Sequence, residues 1–217
     1  MQIQFKYDEN KDIDCLLSKG SGSMNQPGSK TKTYQALLMF TPDIQDREKV
    51  REFVRKYISE NAIDTEKLCV SMKKDWDQVA IQFEARAEKI FGVSIPDTIM
   101  AYLTITGRYP YNIKEKYFYV STTPVNIRGT VMHELWHFYT WNKFGETELA
   151  RLGSQKYNDL KEALTVLLNC ECADTMPSID SGYPQHQDLR KLIADTWLKT
   201  KNINDTWNEA CQRANSV

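Results

Sequence analysis

Gly129-Thr130-Val131-Met132-His133-Glu134-Leu135-Trp136-His137-Phe138-Tyr139-Thr140 is the stretch on which the reading of this chain turns. Within it, His133-Glu134-Leu135-Trp136-His137 has the form HExxH. On a helix the two histidines project from one face, one turn apart. That places two imidazole nitrogens where both can reach one Zn²⁺ at about 2.0–2.1 Å. Glu134 follows the first histidine, so its carboxylate is aimed at a water on the metal rather than at the metal. Val131, Met132, Leu135, Trp136, Phe138 and Tyr139 surround the motif with apolar surface, which predicts a buried helix. A carboxylate in such surroundings is costly unless something compensates it. The alternative is a helix carrying two hydrogen-bonded histidines and a solvent-facing glutamate.

A catalytic zinc usually has three protein ligands and an open position. The metzincin extension of the motif needs glycine at position 140 and histidine at 143; Thr140 and Lys143 exclude it. Downstream, Asp159-Leu160-Lys161-Glu162-Ala163-Leu164-Thr165 lies on a strongly patterned helical stretch. Its Glu162 is the candidate third ligand, the alternative being a surface carboxylate paired with Lys161 or Lys156.

Here the chain resembles the gluzincin metallopeptidases, the thermolysin-like class with HExxH and a glutamate on the following helix. The resemblance covers residues 98–200 and is closest to the compact single-domain minigluzincins. It implies an α+β, zincin-like fold and zinc-dependent hydrolysis of peptide bonds in a peptide or protein substrate. His133, His137 and Glu162 would hold Zn²⁺ and Glu134 would act as general base. It further implies an edge strand just before the motif helix, here Tyr117 to Ser121, that holds the substrate extended. A downstream histidine or tyrosine would stabilise the oxyanion, which by order along the chain points to His186 and Tyr183; a helix-start or surface role is the alternative. One departure is Val166, where the family often has an acidic partner for a ligand histidine. Asn169 or a backbone carbonyl is the expected substitute, because a ligand histidine needs its other ring N–H engaged.

Working outward, residues 1–8 alternate as a short strand. Ser18 to Lys32 is loop chemistry, expected to be mobile, and Ser18 to Thr33 is a candidate plug for the cleft of a latent enzyme. Tyr34 to Phe40 reads as a strand or short buried segment, and Thr41-Pro42-Asp43 as a helix start. A long helix is predicted from Asp64 or Thr65 to Phe91, ended by Gly92. Ile99 to Thr106 reads as a strand. The motif helix is expected to begin after Asn126 and stop at Gly145. Tyr157–Glu171, Gln185–Thr200 and Asn204–Arg213 read as helices, and Ser178–Pro184 as a turn-rich connector. The organisation expected is one domain over 1–217, with a strand, loop and scaffold helices in 1–97 and the core in 98–217.

The 217 residues carry a formal net charge of −1, so no overall field favours nucleic acid or anionic membrane. No apolar run approaches the ~20 residues of a membrane span. Five cysteines without CxxC spacing favour reduced thiols. With no signal peptide at the N-terminus, the expectation is a cytoplasmic monomer; a secreted chain trimmed of its leader would read the same. The rival class is a non-catalytic or latent zincin-fold protein, a zinc-stabilised interaction module.

Overall fold

The computed structural model describes residues 1–18, 31–107, 109–123 and 126–215. In chain order these form β1 (Gln2–Tyr7), α1 (Glu9–Leu17), α2 (Lys32–Phe40), α3 (Arg47–Glu60), α4 (Thr65–Asp77) and α5 (Ala80–Phe91). Next come β2 (Thr98–Thr104), β3 (Tyr111–Asn112), β4 (Tyr117–Ser121) and α6 (Ile127–Leu152). The chain closes with α7 (Ser154–Leu164), α8 (Val166–Glu171), a 3₁₀ turn at Pro184–His186, α9 (Gln187–Thr200) and α10 (Ile203–Asn215). The class is α+β, mostly helical with one small sheet. No helix among the described residues is long and apolar enough to cross a membrane.

The chain divides into two compact units. Residues 1–76 and 97–127 make the first. Its four strands run in the order β1-β2-β4-β3, parallel except for the β3–β4 pair. β4 therefore has β2 on one side and, over Tyr117 and Phe118, β3 on the other. This corrects the expectation of an edge strand just before the motif helix: the edges are β1 and β3. Ile13, Leu16, Tyr34, Leu37, Val50, Phe53, Val54 and Ile105 form a core cluster in this unit.

Several boundaries differ from expectation. Tyr34–Phe40 lies in a helix, because the Thr31 side chain caps it by accepting from the Tyr34 N–H at 3.1 Å. α3 begins at Arg47 on an Asp46 cap, not at Thr41–Asp43. The long helix to Phe91 is two helices, broken at Gln78-Val79, although Gly92 does end the second in left-handed conformation. The loop and candidate plug fall, from 19 to 30, outside the described residues.

Residues 77–96 and 128–217 make the second unit. α6 is its axis, buried nearly all round from Val131 to Thr140, as its apolar surroundings require. Phe91 meets Trp136 edge-on at 5.0 Å and stacks on Tyr139 at 5.7 Å. Gly145 does not stop α6. A Cβ there would come within 2.7 Å of the Trp141 ring, so glycine makes room for the indole while the helix runs on to Leu152. The expected helix 157–171 is interrupted at Thr165. α9 packs against α7, α8 and α10.

Candidate metal centre

All the motif residues lie in the second unit. α6 presents His133 and His137 one turn apart, their rings edge-to-face with centroids 4.7 Å apart. The Trp136 indole donates to the Leu164 carbonyl at 3.1 Å, satisfying a buried carbonyl at the end of α7. This bond pins α7 against α6 two residues from Glu162. Glu162 then faces both histidines: Oε2 is 3.5 Å from His133 Nε2 and Oε1 is 3.4 Å from His137 Nε2. One donor atom from each of the three residues lies within 4.8 Å of the others. Around a tetrahedral ion with bonds of about 2.0–2.1 Å, ligand atoms sit about 3.3–3.4 Å apart. The two N···O separations are close to that spacing, each to a different oxygen of Glu162, and two imidazoles with one carboxylate is a donor set suited to Zn²⁺.

Glu134 supplies a second mark of fit. It is 5 % exposed, and its Oε2 is buried with no hydrogen-bond partner among the described residues. Burial pushes its carboxyl up to about 8, with the Glu162 charge adding and the His133 charge opposing. A dication at the neighbouring donors is the partner that would favour its ionised form. Burial also lowers the His137 imidazole well below its ordinary value, with the Lys161 charge adding to the effect. It is thus held neutral, as a ligand must be. For His133, burial pulls down but is overcome by Asp180, Glu162 and the Glu134 charge, which raise it to about 10. Glu162 is raised by burial but held well below the carboxylate range by the hydrogen bond and charge of His133 and by the charge of Lys161.

Asp180 is the residue that sequence reasoning missed. Its Oδ2 lies 2.6 Å from His133 Nδ1, leaving Nε2 for a metal and fixing the tautomer. It stands in for the acid absent at Val166, coming from the connector instead of the helix. Asn169 does contribute, one step removed: it donates to the Asp180 carbonyl and accepts from the Asp180 N–H, both at 2.8 Å. Arg190, buried, donates to Asp180 Oδ1 at 2.8 Å and to Thr165 Oγ1 at 2.7 Å. Thr165 Oγ1 also lies 2.8 Å from the Glu162 carbonyl. The only sequence signal was an isolated aspartate in a turn-rich stretch followed by an arginine in a helix.

Of the two candidate oxyanion donors, Tyr183 is 45 % exposed, and its phenol is raised by partial burial and then by the charges of Glu162 and Glu134. His186 is buried, its Nε2 3.0 Å from Asp159 Oδ1 and its ring edge-on to Tyr183 at 5.7 Å. Asp159 and Glu171, the other carboxylates of this helical stretch, are thus engaged elsewhere. Glu171 accepts from the Trp197 indole and pairs with Lys201.

Comparison with protein-family models, curated proteins and solved structures gives no match. The centre is read from this chain's own residues.

Proposed function

We propose that this protein is a zinc-dependent metallopeptidase of gluzincin type, with a zincin-like arrangement of α6 and α7. The observation that carries the reading is the convergence of His133, His137 and Glu162 beside the partnerless Oε2 of buried Glu134. When bound, Zn²⁺ supplies Lewis-acid polarisation of the scissile carbonyl and an acidified water.

The rest belongs to the protein. Glu134 takes a proton from the attacking water at Oε2 and returns it to the leaving amine. Asp180 holds the proton on His133 Nδ1, and Arg190 and Asn169 hold Asp180. The phenol of Tyr183 is the donor to the developing oxyanion, because His186 Nε2 is committed to Asp159. His186 braces the Tyr183 ring. The substrate is a peptide or an unstructured segment of a protein.

The test is equilibrium dialysis of the protein against a saturating concentration of zinc, followed by hydrolysis of an unstructured polypeptide with and without chelator. About one zinc per chain is expected, with hydrolysis lost on chelation and restored by zinc. Absence of zinc, or hydrolysis indifferent to the chelator, overturns the reading.

A further inference from the structure

Lysine is almost never fully buried unless paired. Lys161 is 4 % exposed, and its ammonium lies 3.0 Å from Glu162 Oε1. The same oxygen is 3.4 Å from His137 Nε2. Lys161 therefore sits against a carboxylate that also faces both histidines. Its charge reaches Glu134, His137 and Tyr183 as well. A site built only to hold a dication tightly would not bury a fixed cation against one of its three donors.

We propose that Lys161 is a built-in counter-ion of Glu162 that competes with the metal for this carboxylate and sets the zinc affinity of the centre low. The proposal rests on the reading of His133, His137 and Glu162 as a metal site. Two effects act in the same direction. In the metal-free protein the ammonium compensates the Glu162 charge; without it a buried carboxylate would lose a partner. In the metal-bound protein the ammonium and the dication repel each other at close range, where little water screens them. Lys161 thus stabilises the empty centre and disfavours the filled one. Zinc would then exchange rather than remain permanently bound, and activity would follow the free zinc concentration. Lys161 acts through Glu162 and is a positioning residue.

The experiment measures zinc affinity by competition with a chromogenic chelator, and melting temperature with and without zinc, on the full chain. Lys161→Met removes charge and donor. Lys161→Gln removes the charge but keeps a donor for Glu162, so it holds the fold if Met does not. Both neutral variants are expected to bind zinc at least about tenfold more tightly than wild type and to show a larger zinc-induced rise in melting temperature. Lys161→Arg, which keeps the charge, should restore wild-type affinity. Unchanged or weaker zinc binding in both neutral variants overturns the proposal, since a purely structural lysine can only loosen the site when removed. Wild type binding zinc no better than His133→Ala would instead overturn the metal reading itself, and the proposal with it.

Discussion

Two buried carboxylates, one in each unit, look alike in isolation. Glu134 in α6 and Asp12 in α1 each have one oxygen without a hydrogen-bond partner among the described residues. Burial raises both, Glu134 to about 8 and Asp12 to about 6. Their neighbours differ. Asp12 Oδ1 accepts from the Thr104 hydroxyl at 2.7 Å and the Ile105 N–H at 3.1 Å, and the ionisable groups that act on the carboxylate are the Tyr7 phenol and Glu9, with no histidine or lysine among them. Those bonds fasten α1 to the end of β2 beside an apolar cluster that includes Ile13 and Leu16. Glu134 is surrounded by His133, Glu162, Lys161 and Asp180, whose charges all act on it. A strained carboxylate is therefore not in itself a functional mark. The convergence of other ionisable groups on it is.

The sharpest way to break this contrast is Glu134→Gln, which keeps shape but cannot take a proton. Peptide hydrolysis should fall by about 10²–10⁴-fold while zinc content stays near wild type. Turnover within a few-fold of wild type would place Glu134 beside Asp12 as a structural residue. Next in size is the metal itself. Glu162→Ala should lower zinc affinity by more than the roughly 10–100-fold of an outer partner, whereas Asp159→Ala and Glu171→Ala should retain zinc. Zinc kept by the first and lost from either of the others would reassign the third ligand. Asp180→Ala, which frees His133 Nδ1, should cost about 10–100-fold in zinc affinity. A wild-type titration by chelator competition would remove Asp180 from the centre.

The smallest effect lies in the first unit. Asp12 has a folded pKa raised from 3.8 to about 6, so its ionised form costs stability. That cost is absent below the unfolded value, grows as pH rises through the window from about 4 to about 6, and is full above it. Asp12→Asn keeps an acceptor for Thr104 and Ile105 and removes the charge, though neutral hydrogen bonds replace charge-assisted ones. A net gain of about 1 kcal/mol at pH 8 is expected, shrinking towards pH 4. Urea midpoints at the two pH values check it. A variant less stable than wild type at pH 8 would mean that the carboxylate earns its place through those two bonds.

The sequence made local signals legible and left distant ones hidden. Tyr117–Ser121 could be read as a strand from its own residues, and Gly92 as a helix end. The motif helix was evident from its apolar surround, and Glu162 could be singled out because it stands on a patterned helix. Tyr34–Phe40 was misread because an apolar run of that length suits strand or helix; Thr31, whose side chain caps the helix, lay in a stretch read as loop. Gly145 looked like a stop because its real role, room for the Trp141 ring, depends on a side-chain rotamer. The break at Gln78-Val79 has no glycine or proline to announce it. Asp180 was out of reach for a different reason: its partners His133, Asn169 and Arg190 are scattered along the chain, and nothing local marks that they meet.

That scatter bears on how the protein is made. His133 and Asp180 are 47 positions apart, and Arg190 lies later still. During synthesis at about 5–20 residues per second, the motif histidines exist for seconds before the connector and α9 emerge to orient them. The nascent chain would therefore carry the His133 imidazole with no Asp180 to fix its tautomer. Metal acquisition becomes a late event, coupled to docking of the segment that bears Asp180, and a chain cut short before Arg190 would keep every proposed ligand yet lack the frame that aligns them.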